Sequence, residues 1–194
     1  MLSQKLLPAF VLLAISLTST AAHAQVYVEG AVGSGQRSRS SCAGDVKCTW
    51  TSNTALKLTG GYALNKDFSL EASLFTLGKE TFKITSPFQQ YIANGKTNGV
   101  SLAGVFNYEF NEEFSGYTKL GIASLRYNGR WTDSIVAGEG SFVHSETHLL
   151  LGAGLKYKLN ENVSLTLGLD QYRLKSNVQK PAARTVTLAA QYRF

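Results

Sequence analysis

One turn motif recurs three times in the chain: Leu64-Asn65-Lys66-Asp67-Phe68, Phe110-Asn111-Glu112-Glu113-Phe114 and Leu159-Asn160-Glu161-Asn162-Val163. Each copy is an apolar residue, an asparagine, two polar residues and a second apolar residue. Successive asparagines lie 46 and 49 residues apart. Short polar turns of this kind join the strands of a hairpin, and asparagine tolerates the left-handed backbone they need. A repeat on that scale divides the chain into antiparallel hairpins.

The flanking segments alternate apolar and polar residues, the period of a strand with one apolar face. Eight strands are predicted: Val26–Gly35, Thr54–Leu64, Asp67–Leu77, Asn98–Phe110, Phe114–Tyr127, Thr147–Leu159, Val163–Leu174 and Thr185–Phe194. Each is at or near the roughly 9–11 residues that a tilted strand needs to cross a bilayer. The other connections, Gln36–Asn53, Gly78–Thr97, Asn128–Glu146 and Lys175–Arg184, are long. Strict alternation of long and short connections is the loop pattern of a membrane barrel with short periplasmic turns and long outer loops. The predicted fold is therefore all-β: an eight-stranded antiparallel, transmembrane, up-and-down β-barrel.

The N-terminus fits export. Lys5 precedes an apolar run from Leu6 to Leu17, and Ala22-His23-Ala24 is a small-x-small cleavage site. Residues 1–24 are predicted to be a signal peptide and residues 25–194 the barrel domain. The apolar run falls short of the ~20 residues of a spanning helix. A chain with no such helix can still cross a membrane by closing a barrel, which pairs every backbone group. In an oxidising compartment Cys42 and Cys48 are expected to form a disulfide, with no nearby histidine or further cysteine to complete a metal site. The formal charge is +6, and export argues against nucleic acid as the basic chain's partner.

Alternation alone does not say which face meets lipid, because a soluble eight-stranded barrel turns its apolar face inward. The aromatics decide. Tyr62, Phe68, Tyr108, Phe110, Phe114, Tyr157, Tyr192 and Phe194 lie on the apolar face close to the short turns or the C-terminus, as in an interfacial girdle. Leu58, Leu70, Leu102, Leu120, Ile122, Leu151, Leu167 and Leu188 occupy the middle of that face. The opposite face carries Glu29, Lys57, Glu71, Glu109, Lys119, Lys156, Lys158, Asp170 and Arg193, predicted to line the lumen as a charge network. Buried charges need partners, and a Glu29–Arg193 bridge across the closing seam is expected. Tyr172 and Leu174 fall out of phase with Val163, Leu165, Leu167 and Leu169, which suggests a bulge near Asp170.

The C-terminal stretch alternates Val186, Leu188, Ala190, Tyr192 and Phe194 with small or polar residues. It resembles the closing strand of bacterial outer-membrane barrels. Tyr117-Thr118-Lys119-Leu120-Gly121 matches a recurring Tyr-x-Lys-x-Gly strand, with Tyr117, Lys119 and Gly121 inward. Over the whole mature chain the sequence resembles the small eight-stranded surface barrels: the OmpA-type transmembrane domain, OmpX- and Ail-like proteins and the opacity-protein group. That resemblance implies a monomer in the outer membrane without cofactor, with Tyr192 and Phe194 read by the barrel-assembly machinery. It implies a surface role in envelope integrity, adhesion or resistance to host defence. Because the sequence stops at Phe194, attachment to peptidoglycan through a following domain is not expected.

An eight-stranded barrel has room only for side chains or one small ligand, so a general pore is not expected and function falls to the loops. A narrow channel for small solutes is the alternative. Arg37, Arg39 and Lys47 face Asp45 in the first loop; Lys79, Lys83 and Lys96 face Glu80 in the second; Lys175, Lys180 and Arg184 have no acid in the fourth. A basic rim suits lipopolysaccharide phosphates or anionic host surfaces. The cluster His144-Ser145-Glu146-Thr147-His148 offers a nucleophile, a base and an acid, and small barrels that modify lipid A exist. On a strand, however, His144, Glu146 and His148 share one face and Ser145 takes the other, so no triad is expected. The shared face has spacing that could catch a metal.

Overall fold

The computed structural model describes residues 26–37, 47–51, 54–85, 90–133, 138–174 and 183–194. The predicted signal segment lies outside them. Among the described residues nine strands are formed: β1 (Val26–Arg37), β2 (Lys47–Thr51), β3 (Thr54–Ala63), β4 (Phe68–Thr85), β5 (Gln90–Glu109), β6 (Phe114–Asp133), β7 (Gly138–Lys158), β8 (Val163–Leu174) and β9 (Ala183–Arg193). All pairings are antiparallel. β1 pairs with both β3 and β9, and β4 with β5, so eight strands close a ring and leave no edge. The short β2 stands outside that ring and pairs with Thr81–Thr85 of β4.

The three repeated turns share one hydrogen-bond scheme. Asn65 Oδ1 accepts the backbone N–H of Asp67 (2.9 Å) and of Phe68 (2.8 Å). Asn111 does the same for Glu113 and Phe114, and Asn160 for Asn162 and Val163. The asparagine acts through its side-chain oxygen, which satisfies two turn donors.

Two predicted loops are largely strand. β4 and β5 stay paired out to Thr85↔Gln90, and β6 and β7 out to Asp133↔Gly138. The segments read as Gly78–Thr97 and Asn128–Glu146 thus prolong two hairpins beyond the barrel. Above the membrane both faces of a hairpin are wet, so the apolar alternation that marks a spanning strand is absent. The change of regime is visible at Gly78, whose φ is 84°. There β4 shifts register between Thr76 and Lys79, a bulge that a residue with free access to positive φ makes cheap.

The expected bulge near Asp170 is not formed. β8 keeps unbroken register with β7 and β9 from Ser164 to Tyr172. Tyr172 is buried because it points into the lumen, where it stacks on Phe75 with ring centroids 5.1 Å apart. The apolar residue was in phase with the lumen all along.

The outer wall is apolar and exposed, Leu120 by 60% and Leu58 by 58%. A continuous belt of that kind in water would be an aggregation surface; in hydrocarbon it is the favoured face. Leu70, Leu102, Ile122, Leu167 and Leu188 join it, and Leu151 is half-buried on the same face. Of the predicted aromatics, Tyr108 contacts Phe110, Phe114 contacts Tyr157 and Tyr192 contacts Phe194 near the turn end, while Phe68 contacts Phe106, which was not predicted, and Tyr62 is exposed on the same face.

Candidate functional site

Strand parity turns alternate side chains into the lumen, where they form two layers. Nearer the turns is a charged layer with Glu29, Glu71 and Asp170 against Lys57, Lys119 and Lys156. Among the described residues two ion pairs cross it. Lys119 Nζ donates to Glu71 Oε2, linking β6 to β4 over the inner face of the intervening β5. Lys57 Nζ donates to Asp170 Oδ2 at 2.8 Å, linking β3 to β8. Tyr27 Oη donates to Glu71 Oε1 at 2.9 Å, so both carboxylate oxygens of Glu71 are engaged. Lys156 Nζ lies 5.6 Å from the centre of the Tyr27 ring, and Lys119 Nζ 5.2 Å from that of Tyr117. Equal numbers of acids and lysines in this layer allow its charges to be matched.

Further from the turns the lumen is apolar. Phe75, Leu77, Ala103, Ala123, Leu125, Leu150 and Tyr172 form one buried cluster. Large lumenal rings fit because glycines face them: Tyr27 covers Gly61, Phe75 covers Gly99, and Tyr117 covers Gly154 and Gly168. Among the described residues, buried side chains occupy the interior in both layers.

The predicted network is only partly one unit. Glu29, Lys57, Glu71, Lys119, Lys156 and Asp170 belong to the lumen, whereas Glu109, Lys158 and Arg193 are exposed at the turn-side rim. There they line a polar hollow of about 390 Å³ with Glu112 and Glu161. The expected Glu29–Arg193 bridge is not formed. Register places Glu29 opposite Gln191 and Arg193 opposite Tyr27, one inward step nearer the rim. Arg193 is fixed instead by its backbone: its N–H donates to the Asn162 carbonyl, and its carbonyl accepts from Asn162 Nδ2 at 2.9 Å.

Above the apolar layer, His144, Glu146 and His148 share the inward face of β7. His144 Nε2 and Glu146 Oε1 are 2.7 Å apart, while His148 Nε2 is 3.9 Å from Glu146 Oε2. Ser145 pairs with Arg126 and faces outward, on the other side of the sheet from both histidines. A nucleophile activated by His144 is therefore not assembled. Among the described residues no group of three metal-ligating side chains is placed to hold an ion.

Of the predicted loop cations, Lys79 is exposed on β4 directly opposite Lys96 of β5. Arg37, Lys47 and Lys83 are described as backbone only, at the outer ends of β1, β2 and β4. Arg39, Lys175 and Lys180 lie outside the described residues, as does Cys42; the backbone of Cys48 pairs with Ile84. Sequence reasoning missed Arg126 and Arg130. Both are exposed on the outer face of β6, above Leu120 and Ile122 and in phase with them. The parity of Arg126 was legible within the predicted strand Phe114–Tyr127, whereas Arg130 falls in the part of β6 that the sequence reading assigned to a loop.

A family model described as the outer membrane protein beta-barrel domain matches residues 9–194. No curated protein matches the chain by sequence. Among solved structures the chain is similar to the outer membrane protein OprG of Pseudomonas aeruginosa: TM-score 0.58, 15% identity, 88% of this chain and 96% of that one. The N-terminal β-barrel domain of OprF from the same organism gives 0.56 at 17% identity, with 88% and 98% covered. Ail, the attachment invasion locus protein of Yersinia pestis, gives 0.52 at 20% identity, with 88% and 99% covered. At such identities these likenesses concern the fold.

Proposed function

The chain belongs to the outer membrane protein β-barrel domain family of bacterial outer membranes, and from that premise we propose a surface protein acting through its extracellular end. The role is envelope integrity, adhesion or resistance to host defence. One observation carries this reading: among the described residues ion pairs and apolar side chains occupy the lumen, while β4–β7 continue outward as paired hairpins. A filled barrel is a pedestal, and what it presents is the part free to meet a partner.

The partner class follows from charge. Arg37, Arg39, Lys47, Lys79, Lys83, Lys175 and Lys180 make the outer end basic, which suits lipopolysaccharide phosphates or anionic host molecules. Ail has been crystallised with the heparin analogue sucrose octasulfate, a polyanion of comparable chemistry. Neutralising Arg37, Arg39 and Lys180 together is expected to weaken binding of cells or purified protein to heparin and lipopolysaccharide. Unchanged binding to both would overturn the reading. Unit conductance steps in planar bilayers would favour the narrow-channel alternative.

Export is part of the proposal. The mature protein starts at Gln25 after loss of residues 1–24, Cys42 and Cys48 are joined, and the barrel-assembly machinery reads Tyr192 and Phe194. N-terminal sequencing of outer-membrane material, thiol labelling before and after reduction, and assembly of a Phe194→Ser chain test these in turn.

A further inference from the structure

Two successive rows of inward residues end at the turn-side mouth. One runs Glu109–Ser115–Lys156–Thr166 across β5 to β8. The other runs Lys158–Ser164–Gln191–Glu29 across β7, β8, β9 and β1. The polar hollow of about 390 Å³ draws its lining from both rows: Glu109, Ser115 and Lys156 from the first, Lys158 and Ser164 from the second. Lys156 reaches inward from that lining toward the Tyr27 ring.

The charged layer beneath is matched for four of its ions: Glu71 with Lys119, and Asp170 with Lys57. Glu29 and Lys156 are left over. Glu29 is only 7% exposed and Lys156 is half-buried, yet among the described residues neither forms an ion pair. Two neighbouring polar atoms are buried without a hydrogen-bond partner: Thr166 Oγ1, on the residue opposite Lys156, and Gln191 Oε1, on the residue opposite Glu29. Groups buried in this state cost stability, and most buried polar atoms avoid it. The four sort into two poles. The Lys156 ammonium and the Thr166 hydroxyl can donate; the Glu29 carboxylate and Gln191 Oε1 accept. The donor pole fits a carboxylate and the acceptor pole an ammonium group. Because Glu29 and Lys156 already cancel, a ligand with net charge would unbalance the layer, whereas one carrying both signs would not.

We propose that the turn-side mouth binds a small zwitterion, the head of an α-amino acid, with its carboxylate on Lys156 and Thr166 and its ammonium on Glu29 and Gln191. The head enters through the hollow, which in an outer-membrane barrel faces the periplasm. On the far side lies the apolar layer of Phe75, Leu125, Leu150 and Tyr172. That layer gives a charged ligand no favourable path onward, so the mouth holds the ligand and does not pass it through. The site lies at the opposite end from the extracellular hairpins and does not depend on what they bind.

Isothermal titration calorimetry of the full chain, folded in detergent, tests this with L-alanine as the probe. Alanine is expected to bind. N-acetylalanine and alaninamide each lack one pole and should bind at least about tenfold more weakly, the loss expected for one charge-assisted contact. E29Q and K156M should weaken alanine binding by a similar factor, and T166V by less. K66Q, on the first turn, should bind as the parent does. Gel mobility of unboiled and boiled samples reports folding. Should a single variant fail to fold, E29Q/K156M leaves no uncompensated charge, should fold, and should not bind alanine. Nε-acetyl-lysine carries the same head on a long stem and separates two sources of the ligand. Binding equal to that of alanine assigns the site to heads borne by a larger molecule; much weaker binding assigns it to free small amino acids. A folded parent that takes up no alanine overturns the proposal. So does equal binding of the two blocked analogues, or undiminished binding by E29Q/K156M.

Discussion

Lys119 and Leu120 are neighbours on β6, yet the lysine is 5% exposed and the leucine 60%. In a water-soluble barrel the exposures would be reversed. Here strand parity sends one side chain to a lumen of fixed partners and the other to a wall of interchangeable ones. Lys119 has a specific geometry to keep, with Glu71 as its counter-ion and Tyr117 beneath it. Leu120 needs only to be apolar. The two faces of one strand should therefore fail differently when altered.

The largest effect is expected inside. Lys119→Met keeps most of the side-chain volume but leaves Glu71 with the Tyr27 hydroxyl alone. Breaking a buried pair by removing one partner costs about 3–5 kcal/mol. The urea midpoint of the folded barrel in detergent should fall accordingly. The double change Glu71→Gln with Lys119→Met should recover most of the loss, because no uncompensated charge remains. If the single and double variants unfold alike, the pair is not what holds the lumen.

On the wall the corresponding injury is charge, not loss of a partner. Leu120 lies midway between Phe114 at the turn and Arg126 at the outer boundary, and so near the centre of the membrane. Leu120→Arg should cost roughly 2–4 kcal/mol, falling toward zero for Phe114→Arg at the turn-side boundary. A flat dependence on depth would mean that the wall does not face hydrocarbon.

That division explains what could be read in the chain beforehand. The wall was legible because lipid imposes the same demand on every outward residue: the period marks Leu58, Leu120 and Leu188 as one apolar face, and the aromatics at the turn end say that this face is the outer one. The turns were legible because Asn65, Asn111 and Asn160 solve one local problem in the same way. The lumen was legible only in direction. Which charge meets which depends on strands that are not adjacent: Glu71 and Lys119 are 48 residues apart, Lys57 and Asp170 113. Tyr172 misled because an apolar lumenal residue breaks the alternation that defines the wall. The outer hairpins were missed for a related reason: past Gly78 neither face is in lipid, and the periodic signal stops while the strand does not.

Glycines sharpen the contrast at smaller scale. Gly154 faces the lumen, and a Cβ there would be driven into the Leu167 carbonyl oxygen and the Tyr117 ring. Gly154→Ala should destabilise by about 1–3 kcal/mol, the range for overpacking a filled interior. The near-ultraviolet circular dichroism of Tyr117 and its neighbours should change with it.

Gly60 gives the smallest effect and the opposite sign. It lies on β3 one residue from Gly61, but its Cβ would point outward into open space, with nothing within 4 Å. A strand glycine loses more conformational freedom on folding than alanine, at a cost of about 0.5–1 kcal/mol. Gly60→Ala should therefore stabilise the barrel by up to that amount, aided by a methyl group added to the lipid face. Gly61→Ala, one residue away, should do the reverse, because its Cβ would collide with the Tyr27 ring. Unfolding midpoints that move in the same direction for both variants would show that parity is not what separates the two faces of β3.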